Sequence, residues 1–159
     1  MSGRFSPCFL GALAPLLFFP VLANAADAPQ ADAPQADAPS CEASAVPFLL
    51  RRLAVWQQRL DLQDWTISVT QTHPADLKKD TLGNIHWDAD KKTAAIRVLD
   101  AADYSRTCAD ALADMEFTIV HELIHLELSS LPRSDASRRA EEHAVNHIAD
   151  ALLQLDRGK

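Results

Sequence analysis

Three things are missing from this sequence, and each absence removes a class of function. Its cysteines, Cys8, Cys41 and Cys108, never stand in a CxxC pair. That spacing carries thiol redox centres and cysteine-rich zinc sites, and neither fits here. Lysines and arginines form no stripe, and the formal charge is −7 at pH 7. Nucleic-acid binding depends on neutralising phosphates, so that partner class is excluded. The longest apolar run, Cys8 to Leu22, is too short to span a bilayer comfortably. It follows a basic residue, Arg4, and ends at Ala23-Asn24-Ala25, the small-x-small pattern that signal peptidase cuts. Residues 1–25 therefore read as a signal peptide, with no membrane association once it is removed, and the mature chain as periplasmic or secreted.

Residues 26–40 lack large apolar side chains altogether. They repeat ADAPQ, ADAPQ, ADAPS, a composition that cannot bury enough surface to offset the entropy of ordering. This segment reads as a flexible linker, and the folded domain as residues 41–159. With Cys8 in the leader, the mature chain keeps two cysteines, Cys41 and Cys108. In an exported domain such a pair predicts one disulfide.

What remains has clear periodicity. Phe48, Leu49, Leu53, Val55, Trp56 and Leu60 recur at near-helical spacing, predicting a first helix over Ala45 to Leu60. WTISVTQ, 65–71, alternates apolar and polar residues like a half-buried strand. LGNIHWD, 82–88, and TAAIRVLD, 93–100, read as two more, joined by a polar hairpin turn at 88–92. A long helix is expected from Cys108 to Ser129, and a last one, capped at Ser134 or Asp135, to about Leu155. The order predicts an α+β fold: an N-terminal helix, a small, mostly antiparallel three-stranded sheet, then two helices.

The first of those two helices carries IVHELIHLEL, 119–128. Residues four apart share a helix face, so His121 and His125 point the same way with Glu122 beside them. Phe117, Val120, Leu123, Ile124 and Leu128 cover the other side. Polar and charged groups cost several kcal/mol to bury unless paired or bound to a metal. HExxH on a helix is the zinc-hydrolase arrangement: two imidazoles bind one Zn²⁺ and the glutamate serves as base to its water. A catalytic zinc needs a third protein ligand, and the candidates lie in RRAEEHAVNHIADALL, 138–153.

HELIH followed by Glu142 and Asn146 on the next helix resembles the gluzincins, the thermolysin-like zinc metallopeptidases. EEHAVNHIADALL is similar to the E-x-x-A-N-x-F-A-x-x-L-L helix of the minimal gluzincins of the ImmA/IrrE type, with Val145 and Ile148 at the Ala and Phe positions. The likeness spans residues 62–155, but only the two helices carry specific motifs. It implies Glu142 as third ligand and Asn146 as the residue that orients a zinc-binding histidine. The helical wheel alone leaves Glu141, His143 and His147 open as ligands. Glu141 lies nearest the centre of the stripe formed by Ala144, Val145, Ile148 and Leu152. His73 and His86 read as ordinary loop or strand residues.

The resemblance also implies a mechanism. A zinc-activated water attacks a peptide carbonyl, Glu122 takes its proton as general base and then delivers one to the leaving amine. Tyr104 and His147 are the candidate donors to the developing oxyanion. The substrate, a peptide or protein, would lie along the strand TAAIRVLD. Two other readings compete. One is a different metal hydrolase; deformylases share HExxH, but their upstream Gly-rich and Cys-containing motifs are missing. The other is a non-catalytic zinc-binding interaction domain of the zincin fold, which would need the ligands but not Glu122.

Overall fold

Hydroxyl side chains set where the helices begin. The computed structural model describes residues 40–132 and 134–158; the expected leader and all of the linker but Ser40 lie outside them. Ser40 accepts from the Ala43 N–H ahead of α1, Cys41–Arg59. Thr107 accepts from the Asp110 N–H ahead of α2, Cys108–Glu127. Ser134 and Ser137 form a reciprocal capping box ahead of α3, Asp135–Arg157. Each such cap satisfies a backbone donor that would otherwise lack a partner, typically about 1 kcal/mol. The Ser40 cap explains why α1 starts four residues before the apolar periodicity does.

Cys41 and Cys108 are the first residues of α1 and α2, and a disulfide joins them with 5.4 Å between their Cα atoms. The two helices therefore start side by side. The bond closes a loop of 67 residues, worth about 4 kcal/mol on the chain-entropy account.

Three strands follow α1 in sequence: β1, Thr66–Thr72; β2, Gly83–Asp88; and β3, Thr93–Leu99. β2 and β3 form the expected hairpin. Asp88 Oδ1 accepts from the backbone of Asp90 and Lys91, and Lys92 takes the left-handed conformation. The α+β fold is as expected, but the sheet is mixed rather than mostly antiparallel. Its order is β1-β3-β2, with β1 parallel and β2 antiparallel to β3. Residues 73–82 reverse the chain and leave a gap one strand wide, which β3 then fills. A strand inserted between two oppositely directed neighbours must run parallel to one of them.

The core lies between the sheet and the helices. β3 sends Ala94, Ile96 and Val98 inward, against Leu49, Leu53 and Trp56 of α1 and Met115, Ile119 and Leu123 of α2. α3 adds Val145, Ala149 and Leu153, so its buried stripe is turned from the one expected; Ile148 is 45% exposed. Helix α2 is covered nearly all round, which makes it the rigid centre of the domain. Gly83, at the start of β2, permits the closest approach between sheet and α2. A Cβ there would stand 2.3 Å from the Thr118 methyl and 2.6 Å from the Arg97 carbonyl oxygen.

A polar knot ties the three helices. Glu116 of α2 accepts from Arg52 and, at 2.8 Å, from Trp56 Nε1. Arg52 reaches on to Asp156 of α3 at 2.5 Å, and Arg59 meets the same carboxylate at 2.7 Å.

Candidate metal centre

The buried helix α2 and the less buried α3 meet at five side chains. His121 and His125 turn their Nε2 atoms toward each other, 3.0 Å apart. Glu142 of α3 closes the group, with carboxylate oxygens 3.4 Å from His121 Nε2 and 3.3 Å from His125 Nε2. Each ring is held from behind. Asn146 Oδ1 lies 3.1 Å from His121 Nδ1, and Glu141 Oε1 lies 2.9 Å from His125 Nδ1. With both Nδ1–H groups donating outward, each Nε2 presents a lone pair to the centre. Two imidazole lone pairs and two carboxylate oxygens then converge, an arrangement that could hold a metal ion.

The spacing fits a transition metal. Nitrogen and oxygen ligands at about 2.0–2.1 Å in tetrahedral geometry stand about 3.3 Å from one another. The two imidazole nitrogens are 3.0 Å apart, and each has a different Glu142 oxygen at 3.3 or 3.4 Å, all close to that value. Among the described residues, His121, His125 and Glu142 are the group of three that could hold a metal ion.

Glu122 stands apart from this set. Only 7% exposed, it makes no hydrogen bond or ion pair with any described residue. Burial pushes its carboxyl up to about 7; His125 opposes the shift and Glu142 adds to it. Burial also lowers the His121 pKa, with the neighbouring His125 acting in the same sense.

The centre opens on a cleft of about 740 Å³, walled by β2 on one side and by α2 and the start of α3 on the other. Gly83, Asn84, Ile85 and Trp87 of β2 line it, with Lys78, Arg138 and Arg139 around it. The expectation that TAAIRVLD would be the open strand is corrected. β3 is bonded on both sides, and β2 is the edge strand beside the cleft. Asn84 Oδ1 is buried without a hydrogen-bond partner among the described residues.

Neither expected oxyanion donor lines the cleft. Tyr104 packs against the core, its hydroxyl buried and without a hydrogen-bond partner among the described residues. Burial, aided by Asp114, drives that hydroxyl's pKa up to about 12. His147 is exposed and meets His143 edge-on instead. Glu141, weighed as a ligand, sits behind His125; its side chain is 14% exposed, against 52% for Glu142. Its central place on the wheel reflects burial against α2, and periodicity cannot distinguish a carboxylate facing Nδ1 from one facing Nε2. No family model, curated protein or solved structure matches the chain.

Proposed function

We propose that this protein is an exported, zinc-dependent metallopeptidase that hydrolyses peptide bonds with Glu122 as general base. The convergence of His121 Nε2, His125 Nε2 and the Glu142 carboxylate on one point carries the reading. Zinc suits two imidazoles and a carboxylate, the catalytic pattern of three protein ligands with one open position. When bound, zinc supplies Lewis acidity and water that ionises near neutral pH.

The chain's own residues do the rest. Asn146 and Glu141 hold the imidazoles in the tautomer and orientation that ligation requires. Glu122, beside the ligands and without a cation partner among the described residues, takes the proton of the attacking water and passes it to the leaving amine. The outer edge of β2 offers unpaired backbone groups along which an extended peptide can lie as an added strand. The Cys41–Cys108 bond supports export, because such crosslinks persist in oxidising compartments. No described helix is long and apolar enough to cross a membrane.

The test is cleavage of a broad peptide library by the wild type, Glu122→Gln and metal-free protein, with zinc content measured on each. Cleavage is expected only from the zinc-loaded wild type. Wild-type rates from zinc-loaded Glu122→Gln would remove the mechanism. Partner capture without cleavage by both loaded forms would turn the reading to a zinc-binding interaction domain.

A further inference from the structure

Helix α3 repeats, on its exposed side, the imidazole arrangement of α2. His143 and His147 are four residues apart, and their ring centroids stand 4.3 Å from each other at an interplanar angle of 81°. The corresponding values for His121 and His125 are 4.7 Å and 70°. Both outer histidines are exposed, and neither lines the cleft. Neither makes a hydrogen bond or ion pair with another described residue, so their ring nitrogens are free to bind a ligand.

We propose that His143 and His147 form a second metal site, open to solvent and independent of the first. Its ligand class is a borderline divalent transition-metal ion: copper(II) by preference, then nickel(II) or zinc(II). The preference follows from the donor type, since imidazole suits these ions and copper(II) leads the divalent affinity order. A helix fixes the two rings one turn apart before any ion arrives, so little further ordering opposes chelation. No carboxylate is already in place as Glu142 is at the inner site. Among the described residues no third ligand stands with these two histidines, so the pair alone supplies the protein donors. Water fills the remaining positions, which makes this the weaker and more exchangeable of the two sites.

The experiment starts from protein already loaded with zinc. Copper(II) is titrated in, followed by calorimetry and by the visible d–d absorption, while zinc retention is monitored. The wild type is expected to bind one further equivalent with nitrogen-ligated absorption. His143→Gln or His147→Gln should weaken it, and the double substitution should abolish it. Because both residues are exposed, these variants should fold normally, as their unchanged unfolding curves would show. His121→Ala/His125→Ala should still bind the surface equivalent, which separates this proposal from the reading of the inner site. Absence of a further equivalent in the wild type, or its survival in His143→Gln/His147→Gln, would overturn it.

Discussion

Helix α2 buries two glutamates six residues apart, and they live in opposite environments. Glu116 faces α1, where Arg52 and Trp56 donate to it and Arg52 continues to Asp156. Glu122 faces the cleft, where its neighbours are two histidines and another carboxylate and no cation of the described residues meets it. A buried charge that has a partner is part of the scaffold. One that lacks a partner, beside four converging acceptor atoms, costs free energy that protonation or a nearby cation offsets, and burial has moved the Glu122 carboxyl up to about 7. The same helix thus ties into α1 through Glu116 and, further along, carries Glu122 beside the candidate metal group. Packing of α2 around Met115, Ile119 and Leu123 lies between the two.

The sharpest way to break this contrast is to neutralise each acid in turn. Glu122→Gln is expected to retain its metal and lose about 10²–10⁴-fold in cleavage rate, the usual cost of losing a general base. Glu116→Gln should leave the rate per folded molecule near wild type. Equal loss of rate in both, at equal folded fraction, would make Glu122 merely structural. Within the site, Glu142→Ala should remove most zinc affinity, as should His121→Ala or His125→Ala. Asn146→Ala and Glu141→Ala, which act through the rings, should cost about 10–100-fold in affinity or activity. Zinc affinity measured by competition with a chelator decides this. A larger loss from Glu141→Ala than from Glu142→Ala would exchange their roles.

On stability the order should invert. Glu116→Ala leaves the indole N–H of Trp56 buried without its acceptor and Arg52 without one of its two carboxylates. A cost of about 1–3 kcal/mol is expected from the unsatisfied donor alone. Glu122→Gln should cost less in metal-free protein, because it removes a carboxylate that has no partner to lose. Urea unfolding of the two variants checks this, and a more destabilised Glu122→Gln would contradict the contrast between them.

How much of this was legible beforehand depended on distance along the chain. The HExxH spacing and the Glu142–Asn146 pair are local helical patterns, so periodicity and motif exposed them. The start of α3 was legible because Ser134 stood as a cap ahead of it, and α2 was expected to begin at Cys108, as it does, without Thr107 being read as its cap. Ser40 escaped because it closes a low-complexity repeat. The parallel pairing of β1 with β3 was hidden, since no strand's composition says which neighbour it takes. That choice also decided that β2 rather than β3 borders the cleft. Glu116 drew no notice for the same reason: its partners are 60 and 64 residues away. Glu141 was noticed as acidic and central, but its orientation behind His125 depends on the rotation of α3. Val145, Ala149 and Leu153 set that rotation, and the stripe read from sequence placed it differently.

The smallest effect tests the scaffold end of the comparison by pH. Asp156 takes ion pairs from both Arg59 and Arg52, and hydrogen bonds from these two, Arg59 first, hold its carboxyl below the ordinary value of 3.8. A folded-state pKa below the unfolded one means the unfolded chain binds protons more readily. Stability from this group is therefore fully present above about pH 4 and disappears as pH falls through the lowered folded value. Asp156→Asn lacks that contribution at every pH. The gap in stability between wild type and Asp156→Asn should be constant from pH 7 to about pH 5 and should close as the solution is acidified further. Loss of metal or of other carboxylate interactions at low pH affects both proteins and cancels in the difference. Added salt should narrow the gap near neutral pH, because the pairs are partly open to solvent. Thermal unfolding of both proteins across pH 2.5–7 makes the measurement. A gap that stays the same width down to the lowest pH would show that Asp156 acts through packing rather than charge. The α1–α3 tie would then not be the ionic contrast to Glu122, which has no cation partner among the described residues.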